Sequence, residues 1–334
     1  MAGAVEQRRA MTEPKAQVSS AGRAAFSALA PRAGFPSEGW QAVVLSARRE
    51  GTGARGVLRF DRDGFAPLIV KLRQPVDAAR SEAARAAHAL AAHNLPGGTV
   101  RLLAAAPDHG ALLLSHVPGR TAWEILSQTE DSAERIRVLR ASGAWLGAFH
   151  LAGGALTGGG AKRSAPQSDQ PVQTAPPLRR LRRLARQRDI PQAGQYARCL
   201  AALSHWAAAI EGQRTPAAVI HGDMTLSNLL VEGDTVTGID FENIAPAPAM
   251  RDLARLLVDD AIWFGQGAEG PVEVSAPGID AYQAQIDIAV LRFYAGVRLL
   301  SLWAAQPNEP ADRSPRRAYV WDRIQEIVPD FFML

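Results

Sequence analysis

The most informative stretch of the sequence runs from residue 219 to 242 and reads VIHGDMTLSNLLVEGDTVTGIDFE. A polar loop that contains Asp223 and Asn228 lies between apolar runs, and Asp240 follows a further apolar run seventeen residues after Asp223. Two short apolar runs between Asn228 and Asp240 flank a Glu-Gly-Asp turn, which predicts a β-hairpin. Such a hairpin would fold Asp240 back toward the polar loop, so that three oxygen-bearing side chains converge.

These three side chains suit the transfer of a phosphoryl group. Carboxylate and amide oxygens are the ligands of Mg²⁺, which keeps several waters and shares the phosphates of a substrate. A further carboxylate that stands near the metal without binding it can orient a hydroxyl group and accept its proton. Enzymes that transfer phosphoryl groups combine these parts with a lysine that binds the nucleotide phosphates.

The composition draws attention to a candidate for that lysine. The 37 basic residues comprise 34 Arg and 3 Lys, namely Lys15, Lys71 and Lys162. Lys15 and Lys162 lie in polar stretches, whereas Lys71 follows an apolar run, residues 68–70, that is typical of a strand. Glu82 lies eleven residues later in a segment predicted to be helical. An ion pair with Glu82 would direct the Lys71 ammonium toward phosphate oxygens.

The composition also excludes several classes of protein. The chain has 334 residues, of which 47% are hydrophobic and 21% charged, with a formal net charge of +4. This length fits about two packed units, and the apolar content excludes wholesale disorder. The single cysteine, Cys199, excludes a disulfide framework and a cysteine-rich zinc module. Because there is no apolar run long enough to span a membrane and no apolar block typical of a signal peptide, we expect a cytoplasmic protein without a membrane partner.

The order of the predicted elements indicates an α+β fold with two unequal lobes. Five runs of β character and one Ala-rich helix occupy the first third of the chain, and the remainder is mainly helical. We therefore expect a small antiparallel sheet with one helix, followed by a larger helical lobe. The β runs are residues 41–47, 57–61, 67–73, 100–105 and 111–117, and the helix is predicted at 77–93.

The same patterns predict where the domains begin and end. Residues 1–20 are polar and unpatterned, so a disordered extension is expected there. A nucleotide-binding lobe would span 21–117, and a catalytic and acceptor-binding lobe would span 118–334. Within the second lobe, residues 153–177 are rich in Gly, Pro and Ser, a composition that is typical of a flexible insertion.

Together these motifs resemble the aminoglycoside phosphotransferase and choline kinase-like family, a branch of the protein-kinase-like fold. The resemblance is carried by three motifs, His-Gly-Asp-x-x-x-x-Asn at 221–228, Asp-Phe-Glu at 240–242 and Arg-Asp-Leu-Ala-Arg-Leu at 251–256. The pair of Lys71 with Glu82 and the sequence LGAFH at 146–150 match more loosely. The resemblance spans residues 40–265 and implies a two-lobed fold and an ATP- and Mg²⁺-dependent transferase.

The resemblance also implies roles for individual residues at the reacting groups. Asp223 would be the catalytic base that orients the acceptor hydroxyl. Asn228 and Asp240 would hold Mg²⁺ against the phosphates of ATP, and Glu242 would lie near the metal or the substrate. Lys71, oriented by Glu82, would bind the α- and β-phosphates.

Further residues would support these groups. His221 and Asp252 would hold the catalytic loop in place. The segment from Ser115 to Val117 would be the hinge whose backbone meets adenine. A glycine-rich loop would cover the phosphates, and its glycines are Gly51 and Gly53.

The expected acceptor is a small molecule with a hydroxyl group. The metal motif ends in Glu242 where ordinary protein kinases have glycine, and no activation segment is recognisable. A kinase with a protein acceptor is the alternative. Residues 211–300 contain 13 acidic residues against 5 Arg and no Lys, a net charge of −8. This charge would suit a cationic acceptor such as an aminoglycoside or an amino alcohol, while sugar-like acceptors stay open.

Two hypotheses of a different kind are less favoured. A pseudokinase that binds nucleotide without turnover is disfavoured because Lys71, Asp223 and Asp240 are all present. A nucleic-acid-binding protein could use the Arg-rich helix predicted at 178–188, but no aromatic side chains alternate with its arginines to stack on bases. We therefore expect no nucleic-acid partner. The sequence carries no signal for an oligomeric state.

Overall fold

The computed structural model describes residues 2–50, 53–73, 76, 100–106, 109–154, 169–241, 246–265, 270–271 and 276–333. The chain divides into two compact units, Met1–Pro118 with Thr237–Ile244, and Gly119–Val236 with Ala245–Leu334. The first boundary lies one residue from the expected end of the first lobe. The segment Thr237–Ile244 was expected in the second lobe but belongs to the first unit.

The first unit contains the predicted antiparallel sheet. Its five strands are hydrogen-bonded in the order β1-β2-β3-β5-β4. The turn between the second and third strands uses Gly64, whose φ of +79° is a conformation that favours glycine. The helix predicted at 77–93 lies outside the described residues. The strands are β1 (Gln41–Glu50), β2 (Gly53–Asp61), β3 (Leu68–Arg73), β4 (Leu102–Ala106) and β5 (Ala111–Ser115).

A long N-terminal helix, α1 (Ala2–Leu29), replaces the disordered extension that was expected at residues 1–20. That expectation was wrong because the helix is stabilised by tertiary packing rather than by its own polar sequence. Val18 and Leu29 are fully buried, and the Phe26 ring stacks on the Phe60 ring of β2 with 4.0 Å between centroids. Burial of each such side chain contributes about 1.5–3 kcal/mol.

The contact between α1 and β2 depends on a glycine. A Cβ added to Gly56 would overlap the Val18 side chain and stand 3.0 Å from the backbone oxygen of Ser46. Only a residue without a side chain lets the helix lie this close to the strand.

Gly56→Ala is therefore expected to destabilise the protein by about 1–3 kcal/mol, the usual cost of overpacking a core. Urea unfolding measures this difference. Gly194→Ala is the matched control, since no atom lies within 4 Å of the position of its added Cβ. Equal unfolding midpoints for the two variants would contradict the close packing of α1 on β2.

The second unit is mainly helical, as predicted. Leu203, Leu253, Leu299 and Trp303 are fully buried in its core. Its helices are α2 (Ala122–Leu126), α3 (Ser132–Gly154), α4 (Ala175–Gln187), α5 (Ala193–Ile210), α6 (Met250–Phe264), α7 (Ala276–Ala281), α8 (Ile288–Trp303) and α9 (Pro315–Phe332). Among the residues that the structure describes, no helix is long and apolar enough to cross a membrane.

Short strands accompany these helices. Strand β9 pairs with β6 and with β10, whose first two residues belong to this unit, and β8 lies between β11 and β7. The loop that carries Asp223 and Asn228 begins after β8 and ends at β9. These strands are β6 (Arg120–Thr121), β7 (Asp169–Pro171), β8 (Arg214–Val219), β9 (Leu229–Glu232), β10 (Thr235–Gly238) and β11 (Pro246–Pro248).

Only part of the flexible insertion expected at 153–177 lies among the described residues. Residues 155–168 lie outside the described part of the chain. Residues 169–177, by contrast, form β7 and the start of α4, so for them the expectation was wrong. The edge of β8 recruits β7 by backbone pairing, and Val172, which follows, is fully buried. Backbone pairing of this kind does not require the side-chain alternation by which a strand is recognised.

Candidate active site

In the first unit, two cationic side chains converge on the carboxylate of Asp240. The Lys71 Nζ donates a hydrogen bond to Asp240 Oδ1. The Arg55 guanidinium donates to both carboxylate oxygens, at 3.1 Å and 3.4 Å. The structure therefore brings together Lys71 and Asp240, two of the predicted site residues, although they are 169 positions apart in the chain. Glu82 and Glu242 lie outside the described residues.

The register of the sheet explains why Arg55 accompanies Lys71. Val57 of β2 lies opposite Lys71 of β3, and Arg55 precedes Val57 by two residues. Opposite residues and residues two apart on a strand point to the same face of a sheet. Arg55 and Lys71 therefore present their charges on one face, with the Lys71 side chain only 13% exposed. Sequence reasoning missed Arg55.

Asp240 has an unusual backbone. Its φ is +67°, in the left-handed region that few residues other than glycine adopt, although aspartate and asparagine tolerate it best. The preceding residue, Ile239, packs against an apolar cluster formed by Val100, Leu112 and Leu114. This packing anchors the turn and holds the carboxylate toward the cations. Backbone strain of this kind is found most often at functional sites.

The glycine-rich loop is more complete than the sequence analysis recognised. Residues 51–56 read GTGARG, which matches the pattern G-x-G-x-x-G rather than Gly51 and Gly53 alone. The missed signal was the third glycine, Gly56, while the valine of the longer pattern G-x-G-x-x-G-x-V is replaced by Leu58. Gly51 lies outside the described residues, and Gly53 is the first residue of β2.

The segment expected to be the hinge follows directly on β5. Ser115 forms two hydrogen bonds with the backbone of Arg101. Its N–H donates to the Arg101 carbonyl oxygen at 2.9 Å, and its Oγ accepts from the Arg101 N–H at 2.9 Å. Val117 packs against the apolar cluster that contains Leu112 and Leu114. The segment is thus fixed beside an apolar surface.

In the second unit, the loop after β8 presents Asp223 to solvent and leaves Asn228 partly buried. The Asp223 side chain is 52% exposed and pairs with the Arg255 guanidinium. Asn228 Nδ2 donates to the Asp223 carbonyl at 2.7 Å, which braces the loop across its five residues. The amide nitrogen is used in that bond, so the amide oxygen is the atom of Asn228 that can bind a cation.

Asp252 supports this loop from beneath. It is 1% exposed, and its carboxylate accepts hydrogen bonds from the backbone N–H groups of His221 and Gly222 at 2.5 Å and 2.9 Å. His150 Nε2 lies 3.3 Å from the same carboxylate, and His150 Nδ1 lies 2.7 Å from the Tyr282 hydroxyl. The predicted pair of His221 and Asp252 thus meets at the base of the loop.

The surroundings of Asp252 favour its ionised form. Burial by itself would raise the pKa of this carboxyl. The hydrogen bond and charge of His150, the charge of His221 and the N–H of Gly222 outweigh burial, and the pKa is lowered below its usual value of 3.8. A permanent carboxylate therefore underlies the loop.

The sequence of the chain decides its family. The sequence model of the Phosphotransferase enzyme family matches residues 44–294, which is three quarters of the chain. The chain belongs to this family. The match extends past residue 265, where the resemblance was expected to end, into α8. No curated protein sequence matches the chain.

Solved structures show that this phosphotransferase has the expected protein-kinase-like fold. A choline/ethanolamine kinase family protein from Mesorhizobium loti is 16% identical, with a TM-score of 0.54 over 84% of this chain and 86% of that chain. AMP-bound spectinomycin phosphotransferase APH(9)-Ia is 12% identical, with a TM-score of 0.56 over 87% and 93%. Amicoumacin kinase hAmiN, in complex with AMP-PNP and Ca²⁺, is 14% identical, with a TM-score of 0.54 over 86% and 88%. At these identities the likeness establishes the fold, and the family match confirms the prediction of a phosphotransferase enzyme.

Sequence reasoning overlooked three further residues of the phosphotransferase that contact this loop or its support. Arg255, besides its pair with Asp223, donates to the Gly222 carbonyl at 3.2 Å. His150 and Tyr282 extend the hydrogen-bond chain of Asp252. The signals for Arg255 and His150 were their places in the motifs at 251–256 and 146–150. Tyr282 lies outside every motif that was recognised.

The donor atoms of this phosphotransferase fit Mg²⁺ better than a transition metal. Within the described ranges, no group of three or more His, Cys, Asp or Glu side chains could hold a metal by itself. The two residues expected to bind the metal each offer an oxygen atom, the carboxylate of Asp240 in the first unit and the amide of Asn228 in the second. Mg²⁺ is commonly bound through one or two such oxygens, with waters and substrate phosphates completing its coordination.

Proposed function

We propose that this phosphotransferase transfers the γ-phosphate of ATP, with Mg²⁺, to a hydroxyl group of a small molecule. The observation that carries this proposal is the contact of Lys71 and Arg55 with the Asp240 carboxylate. Two cations and one carboxylate are the groups needed to hold a polyphosphate together with its metal.

On the nucleotide side, Lys71 and Arg55 would bind phosphate oxygens, and Asp240 with Asn228 would hold Mg²⁺. The metal, when bound, neutralises the charge that develops on the transferred phosphoryl group. The segment from Ser115 to Val117 would bind adenine, with the apolar cluster at Leu112 and Leu114 as a surface for the planar base. Gly53 and its neighbours in the glycine-rich loop would cover the phosphates.

On the acceptor side, Asp223 would orient the hydroxyl and accept its proton as the phosphoryl group is transferred. The Arg255 guanidinium pairs with this carboxylate and fixes its position on the loop. The anchor formed by His221, Asp252 and His150 would keep the loop in one conformation, so that Asp223 acts without reorganisation.

An acceptor screen tests the proposal. The protein is incubated with Mg·ATP and a panel of hydroxylated acids, sugars, amino alcohols, aminoglycosides and peptides, and products are detected as a mass increase of one phosphoryl group. Transfer to a small molecule that depends on Asp223 supports the proposal. Transfer to peptides alone would identify a kinase with a protein acceptor, and ATP binding without any transfer would identify a pseudokinase.

Asp240→Asn is expected to abolish the metal dependence of nucleotide binding. Asparagine keeps the tolerance for a left-handed backbone but removes the negative charge. In the parent protein Mg²⁺ should lower the Kd for ATP. We expect the ratio of the Kd without Mg²⁺ to the Kd with Mg²⁺ to be about tenfold smaller in the variant, equivalent to roughly 1.4 kcal/mol. Calorimetric titration with ATP, with and without Mg²⁺, measures it.

The matched control is Asp61→Asn, which removes a carboxylate of the same unit that pairs with Arg59 at 2.9 Å. Metal-dependent ATP binding that survives in Asp240→Asn would remove Asp240 from the metal site. Loss of metal-dependent ATP binding in Asp61→Asn as well would show a general effect of charge.

A further inference from the structure

A cavity of about 650 Å³ in the second unit lies next to the loop that carries Asp223. It is bounded by β7, α4, β11, α6 and α8, and its polar lining includes Gln173, Arg180, Arg251 and Tyr294. Pro246, at one end of the cavity, is paired with Val219, two residues before His221. The nucleotide-binding groups of the first unit do not line it.

The lining of this cavity is positively charged. Arg180 comes from α4 and Arg251 from α6, and within the described residues no carboxylate lines the cavity. Both arginines are exposed, so that their guanidinium groups can meet a ligand. The charges of Arg251 and of Glu211, whose carboxylate is hydrogen-bonded to Thr174, both act on the hydroxyl of Tyr294.

A further arginine connects the cavity with the catalytic loop. Arg298 lies one helical turn after Tyr294 on α8, and its charge interacts with those of Arg255, Asp259, Asp223 and Arg180. Its Nε is buried and has no hydrogen-bond partner among the described residues. Burial, together with the charge of Arg255, lowers the pKa of Arg298 to about 10. A guanidinium in these surroundings is stabilised by an added anion.

Four acidic residues of this region are engaged elsewhere, which weakens the basis for expecting a cationic acceptor. Asp252 is buried beneath the loop, and Asp260 pairs with Arg135 at 2.9 Å. Asp287 caps α8, and Asp259 accepts from the backbone N–H of Leu226 at 2.9 Å. The net charge of −8 counted along the sequence is therefore not the charge that lines the cavity.

We propose that the acceptor of this phosphotransferase carries an acidic group, a carboxylate or a phosphate, besides its reactive hydroxyl, and that Arg180 and Arg251 bind this group. The inference rests on the proposed function and names its substrate class. The planar guanidinium fork binds the two oxygens of a carboxylate or phosphate in parallel, which fixes direction as well as position. The hydroxyl of the same molecule would then lie toward Asp223, since Pro246 in the lining of the cavity pairs with Val219, directly before the loop that carries Asp223.

The test compares acceptors in matched pairs, each hydroxy acid or sugar phosphate against its neutral amide or unphosphorylated form and against an amino alcohol of similar size. We expect the acidic member of a pair to have the higher kcat/KM. Arg180→Gln and Arg251→Gln should each raise the KM for the acidic acceptor by about 10- to 100-fold, the loss of one charge-assisted bond. Arg251→Glu should reverse the order of acidic and cationic acceptors.

Two controls accompany these variants. Arg186→Gln removes an exposed arginine of the same helix that does not line the cavity, and its kinetics should match those of the parent protein. Inorganic phosphate and malonate serve as direct probes of the cavity in thermal-shift titrations. These anions should raise the Tm of the parent protein and of Arg186→Gln. They should not raise the Tm of the variant that combines Arg180→Gln with Arg251→Gln.

The outcomes separate this inference from the proposed function. Transfer that is equally fast to neutral or cationic members of the pairs would overturn the inference and leave the kinase assignment intact. Unchanged KM values in both glutamine variants would overturn it as well. Absence of ATP binding and of transfer to any acceptor would overturn the proposed function, and the inference with it.

Discussion

Asp223→Asn should lower kcat by about 10²- to 10⁴-fold, the usual contribution of a positioned general base. Asparagine keeps the shape of the side chain, so the loop should stay in place, but it cannot accept the proton of the acceptor hydroxyl. Because this loss is felt mainly in the transition state, the Kd for ATP should change little. Steady-state kinetics and calorimetric titration of ATP together measure both quantities.

Asp234→Asn is the matched control for this variant. Asp234 is a carboxylate of the same region, but its side chain is 93% exposed and it pairs with Arg137 at the surface. Its kinetics should equal those of the parent protein. If Asp223→Asn kept more than a tenth of the parent turnover, the assignment of Asp223 as the base would be wrong.

The second large effect is expected at Asp252, where a substitution should affect folding and activity together. Asp252→Ala leaves the N–H groups of His221 and Gly222 and the ring of His150 without their shared acceptor. Removing one partner from a buried charged network costs about 3–5 kcal/mol. Urea unfolding should show this loss, and turnover should fall because the loop is no longer fixed. Asp322→Ala, at an exposed position of α9, is the control.

The same carboxylate should make stability depend on pH in a defined direction. The pKa of Asp252 is lowered in the folded protein, so its contribution to stability is complete above the unfolded pKa, about 3.8, and is lost as pH falls below that value. The difference in unfolding free energy between the parent and Asp252→Asn should therefore be largest near neutral pH and shrink below pH 4. A difference that is constant between pH 7 and pH 3 would contradict this assignment.

The sequence allowed the sheet and the helical unit to be predicted because their apolar periodicities are local. The sequence also singled out Lys71 and Asp240, which the structure places in contact, whereas the role of Asp223 stays a prediction. The N-terminal part of helix α1, residues 2–20, was not predictable, because the helix depends on the sheet against which Val18 packs. The same holds for β7, which forms by pairing with an existing strand.

The arginines around the cavity could not have been predicted either. Arg180, Arg251 and Arg298 belong to three helices, and only the tertiary structure brings them near one another. A count of charges along the sequence indicated an acidic region, because it could not distinguish carboxylates that are used in caps and ion pairs from those that face a ligand. The charge counted along the sequence therefore favoured a cationic acceptor, whereas the lining of the cavity favours an acidic one.

The left-handed backbone at Asp240 has a consequence for experiments on this position. Any replacement there changes two properties at once, the chemical group on the side chain and the ease with which the main chain turns. In a saturation scan, glycine should score as the best-folded but inactive substitution, asparagine next, and β-branched residues worst. The ranking of stabilities across such a scan would report the conformational demand alone. The ranking of activities, after correction for the differences in stability, would report what the carboxylate contributes.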